Sequence, residues 1–130
     1  MSHFTEMKTS IRDIEALQKA VDAMGLELIK DGTARGYSNN TLKADYVIRL
    51  KGPYDIALSK QEDGTYDLIA DWFNGHVEKE VGKKAGILLQ NYAVAVTINV
   101  AKERGLHIEP QRLEDGTVRM ILREKIHMKG

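Results

Sequence analysis

The chain has 130 residues, 42% of them hydrophobic and 29% charged, with 19 Lys plus Arg against 19 Asp plus Glu. That is the composition of one folded domain over 1–130 rather than of a disordered chain, and a formal net charge of zero lacks the basic footprint of a nucleic-acid binder. The absence of cysteine excludes disulfides, thiolate metal sites and cysteine nucleophiles together.

Residues 3–9 read as a short first strand. Ser10 or Asp13 can cap a following helix, because either side chain accepts from the exposed amides of a first turn. Ile14, Leu17, Val21 and Met24 step by three or four and form one apolar stripe, and Gly25 ends it. The middle of the chain reads as a β-meander. Leu26 to Ile29 is a strand, Asp31-Gly32 a turn, and Thr33 to Tyr37 a second piece that runs into the polar loop Ser38-Asn39-Asn40.

The next strand sets Ala44, Tyr46, Ile48 and Leu50 against Asp45, Val47 and Arg49. After Lys51-Gly52-Pro53, Tyr54, Ile56 and Leu58 alternate with Asp55, Ala57 and Ser59. After Glu62-Asp63-Gly64, Tyr66, Leu68, Ala70 and Trp72 alternate with Thr65, Asp67, Ile69 and Asp71. Period two of this kind predicts an antiparallel sheet with one buried face and one solvated face.

A long helix is expected from about Val77 to Arg104, closed by Gly105, with Glu80 and Lys84 placed for an ion pair. Residues 93–100 pull both ways. Val94, Val96, Ile98 and Val100 alternate as a strand would. The stripe Ala85, Leu88, Tyr92, Val96 and Asn99, with no turn residue before it, favours helix. A last hairpin joins His107 to Gln111 and Thr117 to Arg123 through Glu114-Asp115-Gly116. The tetrapeptide Glu-Asp-Gly-Thr therefore occurs twice, at 62–65 and 114–117, as the reuse of one good turn.

Few residues gather in a pattern that chemistry requires. His3, His76, His107 and His127 are scattered, so no metal site and no catalytic residue is expected. Gly82-Lys83-Lys84 lacks the earlier glycine and the Ser or Thr of a phosphate loop. Gly82 and Gly86, four apart, suit close helix packing on the sheet or a contact between copies through the long helix. Arg35-Gly36-Tyr37 is the most distinctive polar cluster. An arginine fork, a glycine and a tyrosine face, with Lys43 nearby, form a candidate pocket for a nucleotide or another phosphorylated metabolite. Asp45, Arg49, Asp67 and Asp71 share the polar sheet face and form a candidate partner surface. No apolar run of signal-peptide or membrane-span type is seen, which points to the cytoplasm, or the stroma for a plastid-encoded chain.

Taken in order, Ser2-His3-Phe4-Thr5, Lys8-Thr9, Asp13 to Leu17, Arg35-Gly36-Tyr37, Lys43-Ala44-Asp45, Tyr54-Asp55-Ile56, Asp63-Gly64-Thr65-Tyr66, Ala70-Asp71-Trp72, Gln90-Asn91-Tyr92-Ala93 and Glu114-Asp115-Gly116-Thr117 carry a family pattern. On these residues the chain resembles the family of hypothetical chloroplast open reading frame thirty-five, a domain of unknown function. It departs from that family at Phe73-Asn74-Gly75-His76-Val77, where an aromatic and acidic stretch is usual, and in the low charge of Ala93 to Val100. The resemblance implies no established reaction and no catalytic residues. It implies an accessory role, since some members are encoded beside ATPases of the AAA class.

The expected fold is α+β: a two-layer sandwich in the order strand, helix, strand, meander, helix, hairpin, with two helices on one face of one antiparallel sheet that holds both the meander and the C-terminal hairpin. A ferredoxin-like arrangement satisfies that order. The expected function is a non-enzymatic accessory or adaptor protein working through protein contacts, without a cofactor. The alternative is a small-ligand binder that uses Arg35, Tyr37 and Lys43.

Overall fold

The apolar stripe Ile14, Leu17 and Val21 folds as α1 (Ile14–Ala23), opened by Asp13, whose Oδ1 accepts the Ala16 N–H at 3.1 Å. In the computed structural model, which describes residues 4–124, this helix lies on a five-stranded antiparallel sheet. The strands are β1 (Phe4–Met7), β2 (Glu27–Arg35), β3 (Thr41–Arg49), β4 (Ile56–Lys60) and β5 (Tyr66–Asp71). They stand in the order β1-β5-β4-β3-β2. The fold is α+β. Because β1 stands at an edge beside β5, the strand order is not the ferredoxin-like one.

Leu17, Val21, Ile48, Ile56, Leu58, Leu68 and Leu88 meet between sheet and helices, all without exposed surface. Each such side chain contributes roughly 1.5–3 kcal/mol by leaving water.

The expected long helix is broken. α2 (Glu78–Val81) ends at Gly82, and Lys84 and Ala85 take φ of 52° and 61° before α3 (Gly86–Glu103) begins. The Glu80–Lys84 pair does not form. Glu80 instead accepts the N–H groups of Lys51 and Gly52 at 2.7 and 3.0 Å and ties α2 to the turn after β3. Residues 93–100 are helical. Leu88, Tyr92 and Ala95 are buried on one side of α3, so helical packing prevails over the strand-like alternation. The last hairpin, β6 (Leu106–Arg112) and β7 (Val118–Glu124), makes its own two-stranded sheet against α3 and does not extend the larger one.

Asp31-Gly32 is not a turn between two strands. β2 runs through it, paired with β3 from Glu27↔Arg49 to Arg35↔Thr41. A flat ribbon of this length would hold Arg35 roughly 30 Å from Arg49. Arg35 nevertheless donates from Nη2 to the carbonyls of Leu50 and Gly52, at 3.3 and 3.0 Å. The ribbon therefore folds back on itself. The fold lies where Asp31 adopts φ 52°, and a Cβ on Gly32 would stand 3.1 Å from the side chains of both Ile29 and Val47. The distal half of the hairpin then covers the second face of the sheet. Ala34, Leu42 and Ala44 pack there on Val47, Ala57 and Ile69 as a small second core.

Candidate functional site at the folded-back hairpin

The two polar groups singled out by the sequence meet under this hairpin, and the fold uses them differently. Asp55 immediately precedes β4 and has no exposed surface. Its Oδ2 accepts the Arg35 N–H and Nε–H, each at 2.9 Å, and its Oδ1 accepts Arg35 Nη2 at 2.9 Å and the Leu50 N–H at 3.2 Å. The Arg35 carbonyl accepts the Asp55 N–H at 3.0 Å, so the tie is made by main chain and side chain together. Burial alone pushes the Asp55 carboxyl up. The Arg35 side chain, with the Arg35 and Leu50 amides, outweighs burial and holds it below the usual carboxylate range. The same bonds raise Arg35 further.

Arg49 approaches from β3, its Nε 3.7 Å from Asp55 Oδ2 and without a hydrogen-bond partner among the described residues. Its Nη2 reaches the Thr33 carbonyl at 3.4 Å, which adds a second clasp on the folded hairpin.

At the hairpin tip, Gly36 is buried against Phe4, whose Cζ would stand 2.6 Å from an added Cβ. Tyr37 follows, and its N–H donates to Asp71 Oδ2 at 3.1 Å. Asp71 Oδ1 also accepts the Phe73 N–H at 3.0 Å. The rings of Tyr37 and Phe73 pack at 4.7 Å and both remain exposed. Below them Tyr54 packs edge-on to His76 at 5.1 Å, and burial, then the negative Asp71, pushes its phenol up.

The solvated sheet face expected from alternation is thus corrected at three positions. Asp55, Asp67 and Asp71 are buried, Asp55 and Asp71 against Arg35 and Tyr37 of the hairpin. Glu6 of the neighbouring strand lies beside Asp67, and that neighbouring carboxyl, more than burial, raises the Glu6 carboxyl. Of the candidate partner surface, Asp45 is exposed, accepting the Lys60 N–H at 2.8 Å, and Arg49 is partly exposed; Asp67 and Asp71 present almost no surface to a partner.

The candidate pocket is also divided. Arg35 is turned inward on Asp55, Leu50 and Gly52, whereas Lys43 lines a separate hollow of about 420 Å³ at the fold of the ribbon, with Asp31, Thr33, Asp45 and Ser59. Tyr37 lies at the tip beside Phe73. Sequence reasoning missed the Arg35–Asp55 clasp because the two residues are 20 apart in sequence and register alone puts them at opposite ends of a ribbon. The signal that could have found it is Asp31-Gly32, a turn dipeptide inside an otherwise continuous strand.

Among the described residues no group of three or more His, Asp or Glu stands where it could hold a metal ion, and no helix there is long and apolar enough to cross a membrane. His3 and His127 lie outside the described residues.

The model of the family described as "Protein of unknown function (DUF1257)" matches residues 20–121, and the chain belongs to that family. It is similar to the uncharacterized protein ycf35 of Guillardia theta, 27% identical over 124 residues that cover 94% of this chain and 96% of that protein. It is similar also to the uncharacterized protein ycf35 of Cyanophora paradoxa, 29% identical over 125 residues with the same coverage of both chains. No solved structure matches the chain.

Proposed function

We propose that the protein is a non-enzymatic accessory protein, of the cytoplasm or of a plastid stroma, that works by docking another protein on the outer face of α3. The observation that carries this reading is the distribution of apolar residues on that helix. Leu88, Tyr92 and Ala95 are already buried. On another side Ile87, Asn91, Val94 and Ile98 follow one another at steps of four, three and four, the spacing of a seam that receives a second helix. Ile87 is 49% exposed. Asn91 and Val94 line shallow grooves on both flanks, one shared with Lys19, Ala23 and Ile98, the other with Arg112 and Gly116. A helix that is apolar all round calls for cover on every side.

The partner this seam suits is an amphipathic helix, from an ATPase of the AAA class or from a second copy of this chain. The ligand-binding alternative at Arg35, Tyr37 and Lys43 gains no support from a guanidinium that is already turned onto Asp55.

The test is affinity capture with the tagged protein, alongside light-scattering mass at several concentrations. The Val94→Glu/Ile98→Glu pair is expected to abolish a stoichiometric partner or a dimer while melting at the wild-type temperature. Asp45→Lys is expected to leave the association intact. Association unchanged by the seam variant would refute the proposed face.

A further inference from the structure

A hollow of about 740 Å³ lies away from both the seam and the folded hairpin, between the β1–α1 loop and α3. That volume suits a small organic molecule. Its two walls differ. Leu89, Ala93 and Val96 of α3 give an apolar wall, and Lys8, Ser10 and Arg12 give a polar one.

Tyr92 forms the floor. It is 7% exposed, and its hydroxyl oxygen accepts the N–H groups of Arg12 and Asp13, at 2.9 and 3.0 Å. A phenol that accepts twice still carries a proton to donate. Among the described residues nothing accepts the Tyr92 proton, and the side chain lines the hollow.

Asp13 is occupied in capping α1 through Oδ1. Arg12 Nη1 donates to the Asp63 carbonyl at 2.9 Å, and the Asp63 carboxylate is itself occupied by the Thr65 hydroxyl and N–H. Lys8 makes no ion pair among the described residues. The hollow therefore offers a buried hydroxyl donor, the Ser10 hydroxyl and the Lys8 ammonium on one side, and hydrocarbon on the other.

We propose that this hollow is a binding site for a small amphipathic anion. Its carboxylate would accept from Tyr92 Oη–H and pair with Lys8, and its apolar body would lie along Leu89, Ala93 and Val96. The site uses a different part of α3 from the docking seam, so each proposal stands or falls without the other.

Decanoate is the probe, with decyltrimethylammonium as its cationic counterpart, both kept below micelle-forming concentrations. Amide NMR titration of the full chain is expected to show saturable decanoate binding, with shifts concentrated at Ser10–Asp13 and Leu89–Thr97. The cation should bind at least about tenfold more weakly. Ala93→Phe, which fills the hollow from an exposed helix position, should weaken decanoate about tenfold or more and leave the melting temperature unchanged. Tyr92→Phe should weaken it as well. Because that change also removes an acceptor for two backbone amides, Ala93→Phe is the deciding variant. Failure of decanoate to saturate, saturation indifferent to Ala93→Phe, or equal binding of the cation would each overturn the assignment.

Discussion

The tetrapeptide Glu-Asp-Gly-Thr builds the same turn twice and two very different hairpins. At 62–65, Asp63 Oδ1 accepts the Thr65 N–H and hydroxyl at 2.9 and 2.6 Å; at 114–117, Asp115 Oδ1 accepts those of Thr117 at 3.0 and 2.6 Å. Gly64 and Gly116 take φ of 87° and 89°. Gln61 N–H to the Thr65 carbonyl, and Leu113 N–H to the Thr117 carbonyl, are both 2.8 Å. Beyond the turn the likeness stops. The first hairpin joins β4 to β5 in the middle of a sheet covered on one face by helices and in large part on the other by the folded ribbon. The second stands as a two-stranded sheet against α3, its Leu122 46% exposed. Local sequence decides the turn, while cover decides how firmly the hairpin is held.

The largest effect should come from removing the clasp that covers the first region. Asp55→Ala leaves Arg35 beside two carbonyls and Arg49 without its carboxylate. A broken pair of this kind costs about 3 kcal/mol, the low end for buried pairs, since the Arg35 side chain keeps 40% of its surface. Urea unfolding measures the loss. Amide exchange should accelerate across β2–β5, with β6–β7 unaffected; equal acceleration in both sheets would show them to be one cooperative unit and end the distinction.

The clasp also sets an acid limit. The folded Asp55 pKa lies below its unfolded value, so its contribution is complete above the unfolded pKa, about 3.9, and is lost as pH falls through the lower folded value. Asp55→Asn should flatten the stability profile in that acid window alone.

A smaller and more pointed comparison replaces each turn glycine. An L-residue at such positive φ costs about 1 kcal/mol. Gly64→Ala should lower the global melting temperature, by about 3–6 °C. Gly116→Ala carries the same strain but should leave the melting temperature unchanged and quicken exchange only in β6–β7. A global shift of equal size from Gly116→Ala would mean that the last hairpin melts with the core.

What could be read from the sequence divides along the same line. The Asp13 cap, the α1 stripe, both Glu-Asp-Gly-Thr turns and the strands β3, β4 and β5 are read from local patterns, and each is present in the fold. The fold-back of the β2–β3 ribbon is not local. Alternation shows which residues share a face, and by that rule Asp55, Asp67 and Asp71 belonged to water. It cannot show that a hairpin 20 to 35 residues upstream returns to cover them. Val47, Ala57 and Ile69 carried the hint, three apolar residues on the polar face, where a second core formed. Nor does alternation place the last hairpin outside the main sheet, since its strands read the same in either position. The break at Gly82–Ala85 escaped because Lys84 and Ala85 are helix formers held in the left-handed region by their surroundings.

The smallest effect asks whether the two turns are alike in solution. Both Asp63 and Asp115 have carboxyls held below the ordinary range, first by the threonine hydroxyl and then by the threonine N–H. They differ in their neighbours. Arg12 and Lys8 add positive charge near Asp63, and among the described residues no cation acts on Asp115 in the same way. Carboxyl-carbon NMR should therefore find both titrating low at modest salt. Raising the ionic strength should move Asp63 upward and leave Asp115 in place, because screening weakens charge at a distance far more than a hydrogen bond. Each carboxylate supports its turn above the unfolded pKa and stops doing so as pH falls through the folded one, so both turns should loosen in acid. An Asp115 that titrates at the ordinary value would mean that its turn is not held without the cover the first one enjoys, and local sequence would then decide less than the shared geometry implies.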